Sequence, residues 1–188
     1  SLRLVNFIKY FIKNNNYNEK FLRNTAQQFV LLSRSIEYHL LGNHLLSNYK
    51  ALIICRLFFF FFIIPNITIL KLVFHYISEL NCQTTLQGAH FELSATYQNI
   101  IIEDILDVIN FMSAYDENYR MKTLFIIAKR LLKYSKYFTH PDGRLAFFND
   151  TNFSNSADIK ELYSYYKKLR SNNENNIAFL FDSGFVKA

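Results

Sequence analysis

The sequence contains few of the residues that interrupt regular structure. Its 188 residues include only four glycines, two prolines and two cysteines. Scarce glycine and proline argue against a β-sandwich with many tight turns and favour helices. Cys55 and Cys82 lack the spacing of metal ligands. Because Cys55 lies within an apolar segment, we predict that it is a buried free thiol.

The motifs of several well-known enzyme sites are also missing. The chain has no phosphate-cradling glycine loop, no Cys-x-x-Cys, no His-Glu-x-x-His and no nucleophile elbow. His90-x-Glu92 matches half of a zinc deaminase signature, but the Pro-Cys-x-x-Cys half is absent. Glu103, Asp104 and Asp107 could offer oxygen ligands, yet we expect them near a helix start, where acidic residues offset the dipole. We therefore predict no metal and no cofactor.

The abundant residues indicate one packed domain with a basic surface. Apolar residues make up 51% and aromatic residues 18% of the chain, which is enough for a sizeable core. The formal net charge of +6 favours a polyanionic partner, and nucleic acid, acidic polysaccharide and anionic membrane all satisfy it. The segment from Ala51 to Ile64 is nearly all apolar, but a membrane span needs about 20 residues. We therefore predict a core helix there and no membrane span.

Apolar residues at spacings of three and four predict antiparallel helix pairs with short connections. We expect helices at 2–13, 19–41, 45–62, from Pro65 onward, at 97–114, 121–134 and 159–170. The fourth helix is expected to bury Ile67, Leu70, Phe74 and Ile77. This pattern gives an all-α fold but does not choose between a bundle, a solenoid and an α/α barrel.

Polar and turn-forming residues predict three further features. The stretch from Asn81 to Thr96 predicts a long loop, and such loops in compact helical domains are often functional. His140-Pro141-Asp142-Gly143 predicts a turn. Asp158 followed by Glu161 predicts a capping box for the last helix.

The run Gly42-Asn43-His44 has two interpretations. Gly42 could end one helix while Asn43 caps the next. Alternatively, the amide and the imidazole could face a cleft and form a site.

The composition changes near the C-terminus. We assign residues 1–170 to the helical domain and residues 171–176 to a polar linker. Residues 177–188 have a strand-like pattern and predict the start of a β domain, because one hairpin is not stable alone in water.

The ordered series of motifs resembles the heparinase II/III-type polysaccharide lyases, especially their N-terminal α/α-toroid. The resemblance covers nearly the whole chain, and no single motif decides it. The matching stretches are Glu37-x-His39-Leu40-x-Gly42-Asn43-His44-Leu45-Leu46-x-Asn48-x-Lys50-Ala51-Leu52, Gly88-x-His90-Phe91-Glu92-x-Ser94-x-x-Tyr97, Ile102-Glu103-Asp104-Ile105-Leu106-Asp107, His140-Pro141-Asp142-Gly143, Phe148-Asn149-Asp150 and Asp182-Ser183-Gly184-Phe185.

The resemblance implies an incomplete α/α toroid followed by the first strands of a β-sandwich domain, which would complete the cleft and supply a further histidine. It implies β-elimination on acidic polysaccharides that contain uronic acid. In that family pattern Asn43 and His44 match the positions that neutralise the uronate carboxylate. Tyr97 matches the tyrosine that acts as acid, and it is also a candidate for the base.

The same resemblance suggests substrate contacts and a location. His90, Glu92, Asn149 and Asp150 are the expected substrate-binding residues. A periplasmic or cell-envelope location is expected from the family, although no signal peptide is visible in this chain. The family pattern commonly has different residues where this sequence has Ala89, Leu93, Ala95, Thr96 and Gln98.

Two other functions stay open at the level of sequence. The first is a non-catalytic glycan-binding or polysaccharide-biosynthesis protein on the same fold. The second is nucleic-acid binding, although no nucleic-acid motif supports it and basic residues more often form a solvated helix face. Its candidates are Lys129, Arg130, Lys133, Lys136, Lys167, Lys168 and Arg170.

Overall fold

The computed structural model describes residues 1–15, 18–39, 42–60, 68–152 and 156–174, with side chains described up to residue 172. Within these ranges the chain forms seven α-helices, a 3₁₀ turn at Lys136–Phe138 and two isolated β-bridges, but no strand. The all-α prediction is therefore confirmed. The helices are α1 Leu2–Asn14, α2 Glu19–Arg34, α3 Asn43–Phe58, α4 Ile69–Gln83, α5 Ala95–Ala114, α6 Met121–Ser135 and α7 Ile159–Glu174.

Side-chain caps begin helices α5 and α7. The Ser94 hydroxyl accepts a hydrogen bond from the Tyr97 N–H at 3.4 Å, which starts α5. The predicted capping box at the start of α7 is confirmed. Asp158 accepts from the Lys160 N–H at 3.0 Å, and the Glu161 carboxylate accepts from the Asp158 N–H at 3.1 Å.

Sequential helices pack as antiparallel pairs, as the sequence predicted. The Gln83 side chain at the end of α4 contacts the Gly42 carbonyl at the start of α3. In the same way, Gln98 near the start of α5 bonds to the Leu131 carbonyl near the end of α6. The Arg130 side chain near the end of α6 donates at 3.2 Å to the Thr84 hydroxyl, next to the end of α4, so α4 and α6 end side by side. Helices α3 and α5 therefore start at the same end of the molecule and run in the same direction.

Helix α3 forms the centre of the core. It is buried on nearly all sides, which suits its apolar composition. Cys55 is a buried free thiol, as predicted, and burial raises its pKa to about 12. No helix in the described part of the chain is long and apolar enough to cross a membrane.

The predicted second helix was too long. Helix α2 ends at Arg34, and the Ser35 N–H bonds to the Leu32 carbonyl at 3.1 Å. The Glu37 carboxylate instead accepts a 2.7 Å hydrogen bond from the amide of Asn48 on α3. This tertiary contact outweighs the local helical pattern at residues 35–39.

The predicted buried face of α4 was wrong at Leu70 and Phe74, whereas Ile77 is partly buried against the core. Leu70 and Phe74 are 50% and 53% exposed, whereas other members of this helix are in the core. Its sequence is apolar around most of the helix, so periodicity alone does not select the buried side. The buried residues of α4 are Leu72, Val73, Tyr76, Leu80 and Gln83.

The structure differs from two boundary predictions, and a third group lies outside the described residues. Asn43 is the first residue of α3, not its cap, because Gly42 occupies the cap position and provides no side-chain hydrogen bond. Helix α7 continues to Glu174, so it includes most of the predicted 171–176 linker. The predictions for Pro65, Ile67 and the strands at 177–188 lie outside the described residues.

Candidate functional site

The turn before α3 lies against the loop that carries Glu92. Gly42 has φ +61° and ψ −148°, a conformation that side chains rarely adopt. A Cβ atom added to Gly42 would lie 2.9 Å from the Glu92 Oε1. The backbone conformation therefore favours glycine at this turn, which brings the Glu92 carboxylate close to the first residues of α3, Asn43 and His44.

Charged groups from two other segments act on Glu92. Burial and the negative charge of Asp150 raise the pKa of the Glu92 carboxyl, and the charge of His44 opposes this shift. His44 is exposed, as is Asp150. The structure therefore brings His44, Glu92 and Asp150 into one solvent-accessible region.

Asn149 connects two of these segments directly. Its amide donates a 2.7 Å hydrogen bond to the Glu92 carbonyl, and its backbone is left-handed at φ +48°. Two residues later, the Thr151 hydroxyl accepts a 3.0 Å hydrogen bond from the Ala95 N–H at the start of α5. The loop that contains Asn149 and Asp150 is thus attached to the first turn of α5.

Tyr97 lies in that first turn of α5 and is half-buried. Lys50 on α3 pairs with Asp104 on α5 at 2.7 Å, which fixes the two helices against each other. His44 precedes Lys50 by six residues, or about 9 Å, and Tyr97 precedes Asp104 by seven, or about 10.5 Å, at 1.5 Å per residue. His44 and Tyr97 therefore lie at a similar height at the same end of two parallel helices. No hydrogen bond joins their side chains within the described part of the chain.

His90 lies behind this surface. Its side chain is completely buried, and burial lowers its pKa to about 4. Its backbone N–H donates to the Gln98 side chain at 2.8 Å, while its Nε2 is 3.3 Å from the Gln83 Oε1. The structure places His90 where it supports the loop, and in this arrangement solvent does not reach it.

Gln83 links His90 to the start of α3, and sequence reasoning gave it no role. Its Nε2 donates to the Gly42 carbonyl at 2.8 Å and to the Glu79 carboxylate at 2.7 Å. Because both amide hydrogens are used, the Gln83 Oε1 acts as acceptor towards His90. The neutral His90 ring therefore carries its proton on Nε2. The only sequence signal for Gln83 is a polar residue at the end of an apolar helix.

A buried ionic cluster lies below the site. The Lys50 Nζ is 2.7 Å from Asp104 Oδ1 and 2.6 Å from Asp107 Oδ2, and the Lys9 Nζ is 2.7 Å from the same Asp107 oxygen. Tyr165 on α7 adds a 3.4 Å contact to Asp107 Oδ1. The cluster connects α1, α3, α5 and α7 and balances two positive with two negative charges.

The pKa shifts in this ionic cluster follow from its geometry. Burial alone lowers the pKa of Lys50, but the charges of Asp104 and Asp107 outweigh it and raise the pKa above its ordinary value. Burial raises the pKa of Asp104, which has one close lysine. Burial acts on Asp107 too, but Lys50 and Lys9 together hold its pKa below the usual range.

The structure corrects the interpretation of Glu103, Asp104 and Asp107 as partners of a helix dipole. All three lie in the interior of α5, beyond its first turn, and Asp104 and Asp107 neutralise buried lysines. Among the described residues, no group of three or more His, Cys, Asp or Glu side chains is arranged to hold a metal ion.

The comparison with known families agrees with this architecture. The family model "Heparinase II/III N-terminus" matches residues 2–178. The chain belongs to this heparinase II/III family. Its helical, toroid-like fold is the one that the resemblance implied. No curated protein and no solved structure matches the chain.

Several motif residues of this heparinase II/III N-terminal region are structural. Glu37 and Asn48 pair with each other, and Lys50 pairs with Asp104 and Asp107. The same motifs also contain His44 and Tyr97, which have no such structural pairing in the part of the chain that the structure describes.

Proposed function

We propose that this chain is the helical part of a polysaccharide lyase that cleaves acidic glycans by β-elimination at a uronic acid. The uncapped start of α3, which carries Asn43 and His44 at the height of Tyr97, is the main support. Membership of the heparinase II/III family supports the same reaction class.

The reaction requires charge stabilisation beside a weakly acidic C–H bond. A base removes the proton from the carbon next to the uronate carboxylate, and the electron pair forms a C=C double bond. The glycosidic C–O bond on the neighbouring carbon breaks, and an acid protonates the leaving oxygen. Neutralising the carboxylate stabilises the enolate-like charge that develops in the transition state.

The start of α3 suits a carboxylate. Helix N-termini carry free N–H groups and a partial positive charge, and the first turn of α3 contains no acidic residue. Gly42 has no side chain that could cap these N–H groups. The exposed His44 imidazole and the Asn43 amide can then donate hydrogen bonds to the same carboxylate.

Tyr97 supplies a hydroxyl for proton transfer. It is half-buried in the first turn of α5, with no hydrogen-bond partner for its hydroxyl among the described residues. In this proposal Tyr97 protonates the leaving oxygen and is also the candidate base. Glu92, Asn149 and Asp150 line the adjacent loops as substrate contacts, and His90 acts through Gln83 and Gly42 on the position of Asn43.

The test is a lyase assay on a panel of uronic-acid polysaccharides. The chain is assayed alone and joined to the C-terminal β domain that the resemblance implies, and the ultraviolet absorbance of the unsaturated product is followed. We expect Tyr97→Phe and His44→Ala to lower kcat by about 100-fold or more. Tyr137→Phe is the matched control, because Tyr137 is 74% exposed on the 3₁₀ turn after α6 and should retain activity.

Two results would contradict this proposal. If Tyr97→Phe and Tyr137→Phe retain equal activity, Tyr97 is not the acid. If the joined protein binds acidic glycans but forms no unsaturated product on any of them, the chain is a non-catalytic glycan-binding protein.

A further inference from the structure

A basic groove lies between the 3₁₀ turn after α6 and the first turns of α7. Its volume is about 620 Å³, and its lining includes Lys136, Lys160 and Lys167 together with the hydroxyl groups of Thr139 and Ser164. None of these residues belongs to the candidate site described above. We refer to it as the lysine groove.

One face of α7 builds most of the lysine groove. Lys160, Tyr163, Ser164 and Lys167 follow each other at spacings of three, one and three residues, so they share one side of the helix. The Tyr163 hydroxyl donates to the Leu132 carbonyl at 3.3 Å, which fixes the ring against α6. The Lys136 Nζ lies 5.7 Å from the centre of that ring. The groove therefore has an aromatic wall with positive charges around it.

The lysine groove lacks compensating negative charge. No carboxylate lines it, and none of its three lysines forms an ion pair within the described part of the chain. The closest acidic residues in sequence are Asp158 and Glu161, whose carboxylates accept the capping hydrogen bonds of α7. The Thr139 hydroxyl donates to the Ser135 carbonyl at 3.0 Å, so Ser164 provides the available hydroxyl. Three lysines without carboxylate partners and one hydroxyl in a single concavity favour an anionic ligand.

The residue types favour a glycan over a nucleic acid. Lysine is a compact, strongly hydrated point charge, whereas arginine is the residue preferred for nucleic-acid recognition and for stacking on aromatic planes. The lining contains no arginine. Lys160 and Lys167 are seven residues apart, or about 10.5 Å along the helix. Two separate acidic groups of one extended chain can therefore each meet a lysine, and the Tyr163 ring offers a flat apolar surface to a sugar between them.

We propose that the lysine groove is a second binding site for the sulfate or carboxylate groups of an acidic polysaccharide, separate from the candidate site. This inference rests on the proposed function for the identity of the ligand. The groove would hold a part of the glycan chain away from the bond that is cleaved.

The experiment is a titration of the whole chain with heparin and polyuronate oligosaccharides of defined length. Affinity is measured by calorimetry, and backbone amide shifts locate the bound site. The double variant Lys160→Gln and Lys167→Gln is expected to bind about tenfold more weakly, since it removes two exposed charge contacts. The control, Lys122→Gln with Lys129→Gln, makes the same change in net charge at exposed positions of α6 and should change affinity by less than about twofold.

Three outcomes would overturn the proposal. The first is an equal loss of affinity in both double variants, which would indicate attraction by net charge alone. The second is tighter binding of a single-stranded oligonucleotide that depends on Lys160 and Lys167. The third is the absence of amide shifts around residues 160–167 in the presence of any acidic oligosaccharide.

The lyase assay separates this inference from the proposed function. If oligosaccharides bind in the lysine groove but no unsaturated product forms, the binding proposal is supported and the proposed lyase activity is contradicted. If elimination occurs and the Lys160→Gln, Lys167→Gln variant has unchanged affinity and KM, the activity stands and the groove proposal fails.

Discussion

Replacing Lys50 by methionine tests the energetic role of the buried ionic cluster. The Lys50 side chain is only 7% exposed and contacts two carboxylates, at 2.7 Å and 2.6 Å. Lys50→Met leaves Asp104 without its close cation, and Asp107 keeps only Lys9. Breaking a buried pair from one side costs about 3–5 kcal/mol, because the remaining charge stays buried and unpaired. Since total stabilities are about 5–15 kcal/mol, this loss is a large part of the free energy of unfolding.

A second substitution in the same chain should restore most of this loss. Lys50→Met combined with Asp104→Leu removes one positive and one negative charge and leaves the Lys9–Asp107 pair in place. Apolar replacement of a whole buried pair is often neutral or stabilising, so we expect the double variant to be within about 1 kcal/mol of the wild type. Denaturant unfolding of the wild type, of the single variants Lys50→Met and Asp104→Leu and of the double variant gives the coupling free energy between Lys50 and Asp104.

The pH dependence of the stability deficit of Lys50→Met is an independent test of the same reasoning. Without Lys50, the folded-state pKa of Asp104 rises further above its unfolded value, so the folded state binds more protons as the pH falls towards 4. The stability deficit of Lys50→Met should therefore shrink as the pH is lowered from 7 to 5. The exposed pair Arg23–Glu19 is the control, and Arg23→Met should change stability by no more than about 0.5 kcal/mol. A loss equally small for Lys50→Met would refute the reasoning.

Two further predictions concern the support of the candidate site. The buried His90 has a pKa of about 4 in the folded state against about 6.5 when unfolded, so up to about 3 kcal/mol of stability is present above pH 6.5 and lost as the pH falls towards 4. Measured by denaturant unfolding, the free energy of unfolding should fall as the pH is lowered across this range. His90→Gln should abolish this pH dependence and the exposed His140→Gln should retain it; an unchanged pH dependence in His90→Gln would contradict the assignment. Gly42→Ala should lower the free energy of unfolding by about 1–3 kcal/mol, because alanine is strained at φ +61° and ψ −148°, whereas the end of the Glu92 side chain can move away from the added methyl group. Gly143→Ala, at a positive φ with no neighbouring atom within 4 Å, is the control for backbone strain alone, and an unchanged stability of Gly42→Ala would contradict the prediction.

Local sequence patterns correctly predicted those features that depend only on residues close together in the chain. The capping box of Asp158 and Glu161 and the thiol of Cys55 were correct because a few neighbouring residues determine them. The end of α2 was not predictable in this way. It depends on the bond between Glu37 and Asn48, which lie on separate elements.

The candidate site was only partly accessible from the sequence. The motifs placed candidate residues at the starts of α3 and α5, and the structure brings His44, Glu92 and Asp150 close to one another. The motifs did not show that His90 is buried or that Gln83 connects it to Gly42, because these contacts depend on how α4 lies against α3. The catalytic and substrate-binding assignments stay predictions until the lyase assay is done.

The ionic cluster also has a consequence for the synthesis of the protein on the ribosome. Lys50 is 54 residues before Asp104, and Lys9 is 98 residues before Asp107. At about 5–20 residues per second, Lys50 waits roughly 3–11 seconds before its first partner is made. Until then the side of α3 that packs against α5 is uncovered, so the Lys50 ammonium group can stay in water. The emergence of α5 is therefore the step at which Lys50 can be buried, because its covering helix and its partner carboxylates arrive together.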